Sequence, residues 1–201
     1  MARTSTRPKN KTSQQEKTPK PKRSFVGPII GLVVVGALAA LVLLDPPPPG
    51  VEFPSQGNFH LAALEEPHAP YNSSPPSSGP HLGFLANWGP SEEPLPPELF
   101  IHNLEDGGVV LAYNCPDGCG ELQSGLEAIV TDVGAGTLST PYDDPIVDPD
   151  GNEYRAAAVA WTRVFYFDEL TPDVESEVET FISLYRGIDN HVGASGGVNH
   201  N

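Results

Sequence analysis

Three short segments concentrate the residues that can do chemistry. The first, Cys115-Pro116-Asp117-Gly118-Cys119, holds the only two cysteines in 201 residues. It follows a strand-like apolar run and opens a helical pattern, a position that lowers the pKa of the first thiol. Such a pair has three uses: a structural disulfide, two soft metal ligands, or a redox couple. The second segment is His102-Asn103-Leu104-Glu105-Asp106-Gly107-Gly108. One imidazole and two carboxylates in five residues ligate a metal or form a buried polar network. His102 and Glu105, three apart, share one face of a helical turn. The third is Tyr71 to His81, with His68 just before it. Its Pro/Gly corner is rigid enough to present His81 as one accurately placed ligand, or to serve as a packing loop.

The expected metal ligands are therefore His68, His81, His102, Cys115, Cys119 and Glu105, with Asp106 behind them and copper or zinc as the ion. No methionine follows Met1, so a thioether site is not expected. Asp148, Asp150 and Asn152 have the 1-3-5 spacing of a calcium loop, but Pro149 interrupts it and no Glu stands at position twelve. Arg155 and Arg163 are read as ion-pair partners for a carboxylate such as Glu105, the other use being an anion clamp. The chain has no Walker motif, no Rossmann glycine pattern and no HExxH, and Ser77 and Ser78 stand in no GxSxG context, which leans away from an enzyme.

Five stretches carry a family resemblance when taken in order. They are YNSSPPSSGPH (71–81), Trp88-Gly89, IHNLEDGGVVLAYNCPDGC (101–119), AWTR (160–163) and FISLYRGIDNH (181–191). Together they resemble DUF3105, a membrane-anchored bacterial family without an assigned activity. The resemblance implies an anchor and an extracytoplasmic domain, but no reaction. Many members carry a second His where this chain has Asp106, so a site needing both imidazoles is altered here. Tyr113 to Cys119 is also similar to the CPxxC stretch of copper chaperones that build cytochrome oxidase, which implies copper handling by the thiols.

The elements that must position these residues follow from charge and periodicity. Residues 1–23 hold eight Lys/Arg against one acid, and residues 45–201 hold 25 Asp/Glu against three Arg. Charges of +7 and −22 thus make up the net −15. An outer part this acidic repels phosphate, which excludes nucleic acid as its partner. Between the two lies Phe25–Leu44, twenty uncharged residues, enough for a helix to span about 30 Å of bilayer. We therefore expect a basic cytoplasmic tail at 1–23 and a single transmembrane helix at 24–44. No small-x-small cleavage site follows the run, so it reads as an anchor and not a leader. Lys/Arg retention places the C-terminal part outside the cell's inner (plasma) membrane.

Beyond the anchor we expect a proline-rich spacer at 45–58, a domain at 59–188 and a flexible tail at 189–201. Dense prolines up to Pro97 argue for irregular structure, with one short helix at Leu61–Glu66. Val109–Tyr113 suits a buried strand, Glu121–Thr131 a helix, Thr137–Thr140 a second strand and Tyr154–Phe167 one long strand or two. Thr171 caps a final helix that starts at Pro172 and closes at Gly187. The expected fold is α+β: one transmembrane helix, then a small mixed sheet in the order β-α-β-β-α. Two helices cover one face, and the proline-rich segment packs on the domain. The functional expectation is a membrane-anchored metal-binding protein. The alternatives are a scaffold subunit of a membrane complex and a thiol oxidoreductase.

Overall fold

Prolines and glycines cut this chain into short strands, and their order is best given first. The computed structural model describes residues 47–191. It contains β1 (Val51–Glu52), β2 (His60–Leu61), β3 (His81–Leu82), β4 (Gly89–Pro90), α1 (Pro97–Glu105), β5 (Val109–Tyr113) and α2 (Gly120–Val133). Then come β6 (Thr137–Pro141), β7 (Ile146–Val147), β8 (Glu153–Tyr154), β9 (Ala156–Ala160), β10 (Arg163–Phe167) and α3 (Pro172–Tyr185). The expected basic tail and membrane span, and residues 192–201 of the expected tail, lie outside the described residues. Among the described residues no helix is long and apolar enough to cross a membrane.

Six strands form one mixed sheet in the order β1-β10-β9-β5-β6-β4. The neighbours β5, β6 and β4 run parallel, and β5, β9, β10 and β1 alternate in direction. The sequence VVLAY is buried at all five positions, as a central strand covered on both faces must be. Its side chains alternate between two cores. Val109, Leu111 and Tyr113 meet Leu122, Leu126 and Val130 of α2 and Val178, Phe181 and Ile182 of α3. Val110 and Ala112 meet Phe100, Ile101 and Leu104 of α1, together with Phe53, Leu138 and Ile146. Small residues along β9 leave room for the large rings on each side: Phe181 on one, Phe100 on the other.

The two long helices are those the periodicity predicts. Thr171 Oγ1 accepts the Val174 amide at 3.3 Å, and Gly134 ends α2 at φ 75°. They cover one face together, as expected. The proline-rich segment packs on the other face through Phe53, Ala86, Tyr71, Trp88 and Leu95.

Three expectations change. A third helix, α1, starts with Pro97 at its first position, where a missing N–H costs nothing. The expected helix at Leu61–Glu66 is absent. Leu61 is in β2, and Glu66 Oε2 accepts the Ala62 amide at 2.6 Å to close a turn. Of the two readings of Tyr154–Phe167, the two-strand one holds: β9 and β10 meet at the Trp161-Thr162 hairpin, with Thr162 at φ 60°, and Tyr154 belongs to β8, which pairs with β7. The folded part also starts before residue 59, because Val51 and Glu52 pair with β10.

The α1–β5 joint is closely packed. A Cβ on Gly108 would lie 2.5 Å from Trp88 Cη2 and 2.6 Å from the Asn103 carbonyl oxygen. Gly108→Ala is therefore expected to cost about 1–3 kcal/mol by overpacking. Denaturant unfolding measures it, and an unchanged midpoint would contradict the packing.

Candidate metal centre

Helix α1 carries the centre. His102 and Glu105 project from one face of its last turns, as the i, i+3 spacing predicts. The Glu105 side chain has no solvent exposure and that of His102 has 12%. His81 comes from β3, and the Pro/Gly corner before it is held hard. Tyr71 Oη donates to the Pro80 carbonyl at 2.6 Å, and Ser78 Oγ accepts the Gln56 amide at 3.1 Å. Strand β2 runs parallel to β3 with His60 opposite His81, their ring centroids 4.9 Å apart. Asn103 binds the Ala86 backbone through both its amide atoms, at 2.9 and 3.0 Å, and so fastens the segment after β3 to α1.

One oxygen lies at the centre of this arrangement. Glu105 Oε2 is 3.0 Å from His81 Nε2, 3.5 Å from His60 Nε2 and 3.7 Å from His102 Nδ1. One ligand atom from each of His60, His81, His102 and Glu105 falls within 4.8 Å of all the others. A tetrahedral ion with bonds of about 2.0–2.1 Å sets its ligands about 3.3–3.4 Å apart, which is the spacing these atoms approach. Two buried atoms of the group, His102 Nδ1 and Glu105 Oε1, have no hydrogen-bond partner.

The protonation pattern points the same way. His81 Nδ1 lies 2.7 Å from the Gly79 carbonyl, which can only accept, so Nδ1 carries the proton. Its Nε2 faces a carboxylate oxygen, another acceptor. A fully buried ring between two acceptors calls for a proton shared between Nε2 and the carboxylate, or for a cation between Nε2 and Oε2. Burial raises the Glu105 carboxyl, but the hydrogen bond with His81 and the charges of His81 and His191 outweigh it and hold it at about 2. Burial also lowers His102, more than the nearby Asp106 carboxylate raises it. His102 is thus neutral at pH 7, the form that ligates.

The expected ligands are placed unevenly. His81, His102 and Glu105 meet. His68 does not join them: its Nε2 is 3.2 Å from Glu98 Oε1 and its Nδ1 is 2.8 Å from the Ala69 carbonyl. Cys115 and Cys119 form a disulfide and pack against the core beneath α2 and α3, on the other side of the sheet. A disulfide offers no thiolate, so these sulfurs are not ligands in this state. Arg163 pairs with Glu52 at 2.7 Å, not with Glu105. Arg155 donates to the Gly118 carbonyl at 3.3 Å. Both Asp148 carboxylate oxygens are occupied by their own turn, accepting from Asp150, Asn152 and Tyr154. His60 was not anticipated. The signal was a repeated His-Leu pair, His60-Leu61 and His81-Leu82, whose leucines are both buried. Thiol titration of the denatured, unreduced protein is expected to find no free cysteine, and two after reduction. Two before reduction would return the sulfurs to the ligand list.

Residues 65–196 match the family described as "Protein of unknown function (DUF3105)". No curated protein and no solved structure matches the chain. The match includes His81, His102, Glu105 and His191, and begins five residues after His60. It extends over well over half of the chain, and the protein is a member of the DUF3105 family.

Proposed function

We propose that this protein is a membrane-anchored, extracytoplasmic metal-binding protein that holds one divalent ion, zinc or copper(II), through His60, His81, His102 and Glu105. The carrying observation is the buried Glu105 oxygen ringed by imidazole nitrogens at 3.0–3.7 Å. Three nitrogens and one oxygen form a borderline donor set that suits zinc and copper(II). Without thiolate or thioether, the set is poor for copper(I). The strongly acidic outer part concentrates cations around such a site. The uncharged run at Phe25–Leu44, with the basic tail before it, supports the anchor and the outward orientation.

The full chain, purified in mild detergent and equilibrated with zinc, is expected to retain one ion per chain after desalting. At free metal a hundred-fold above Kd, binding adds about 2.7 kcal/mol of stability, read as a higher Tm. His81→Ala is expected to abolish retention, and Cys115→Ser to leave it unchanged. Acidification from pH 7 towards 5 releases the ion, because protons displace it from the imidazoles. An unchanged Tm with no retained zinc or copper would overturn the reading.

A further inference from the structure

The ring around Glu105 has one more imidazole near it. His191 Nε2 lies 3.4 Å from Glu105 Oε2 and 3.4 Å from Asp106 Oδ1, on the solvent side of the group. His191 is brought there by a short strap that leaves α3 at Gly187. The Gly187 amide donates to the Gly107 carbonyl at 2.7 Å. The Asn190 amide donates to the Glu105 carbonyl at 2.9 Å, and Asn190 Nδ2 donates to the Leu104 carbonyl at 3.2 Å. Carbonyls of a helix's last turn lack partners within the helix, and here the strap supplies them. The same turn that offers Glu105 to the ion therefore also anchors the strap.

Two details give His191 the geometry of a ligand. Its Nδ1 is 2.7 Å from Asp189 Oδ1, so Nδ1–H donates to the carboxylate and Nε2 faces the site. A carboxylate behind an imidazole is the arrangement that orients metal-bound histidines and raises their basicity. Gly107 then fixes the strap's approach. At φ +81°, a Cβ there would lie 2.7 Å from both the amide nitrogen and the carbonyl oxygen of Ile188. Only glycine lets the strap lie this close to the helix end.

We propose that His191 is a further ligand of this metal ion, delivered by the strap at 187–191 and closing the solvent-facing side of the site. The inference rests on the metal reading above. It makes the ion five-coordinate, with His191 as the ligand nearest solvent and the first to leave when the ion exchanges.

Cobalt(II) bound to the full chain is the probe, because its visible absorption strengthens as coordination drops from five to four. His191→Ala is expected to weaken cobalt binding roughly ten-fold or more and to intensify the visible bands. Gly107→Ala, which touches no ligand, is expected to shift both in the same direction by displacing the strap. His81→Ala serves as the control and is expected to lose binding altogether. If His191→Ala keeps the parent affinity and spectrum while His81→Ala loses binding, His191 is no ligand and the four-residue site stands. If the parent chain binds no cobalt, both readings fall together.

Discussion

A carboxylate with no solvent exposure is the constraint around which one half of this domain is built. Removing an ionised carboxyl from water costs several kcal/mol unless charge and hydrogen bonds replace the lost hydration. Glu105 is held ionised, with a pKa of about 2, by groups from well-separated parts of the chain. His81 comes from β3 and His191 from the strap after α3, while His60 of β2 and the neutral His102 of the same helix stand against the same oxygen. These elements are short, and none would hold its place alone. The buried charge supplies a reason for each to be where it is. A cation at the centre would serve it better than hydrogen bonds alone, because it would also partner His102 Nδ1 and Glu105 Oε1, which have no hydrogen-bond partner.

The two faces of the sheet divide the work. Under α2 and α3 the core is apolar and regular, with Leu126, Val130 and Phe181 against Leu111 and Ala158. That face supplies stability, and the disulfide lies at its edge. The opposite face is covered by α1 and by a segment too rich in proline to form long elements. Irregularity suits its task. Two-residue strands and fixed corners bring His60 and His81 side by side. Side-chain to backbone bonds then set the corners: Tyr71 on Pro80, Gln56 on Ser78, Asn103 on Ala86. A site held by such supports is preorganised, so little ordering remains to be done when a ligand arrives.

The stretches that mark the family sort themselves in space. The loop ending at His81, the His102–Asp106 turn and the strap ending at His191 all converge on Glu105. Trp161, from the β9–β10 hairpin, stands with its ring centroid 6.3 Å from that of His81. The CPDGC stretch is the exception, because it faces the other core. Asp106 sits at the rim of the site beside His191. Its carboxylate extends the negative charge of the site outward.

The sequence by itself determined the parts whose signals are local. Periodicity marked α2, α3 and β5, Thr171 and Pro172 marked a helix start, and the i, i+3 spacing put His102 with Glu105. A rigid corner before His81 marked it as a presented ligand. Local reading failed where proline density hid α1, whose Pro97 sits at the one helical position that tolerates it. Only the tertiary structure decided which histidines meet. His68 lies closer in sequence to His81 than His60 does, yet it pairs with Glu98 and is excluded. His60 enters because β2 and β3 pair in parallel, and His191 because the strap caps α1. Cys115 and Cys119 leave the site because the strand before them alternates its side chains between two cores. Helix and strand propensities are set by residues within a few positions of one another. The convergence of residues 60, 81, 102, 105 and 191 on one oxygen is set by contacts far apart in the chain, and no local pattern records those.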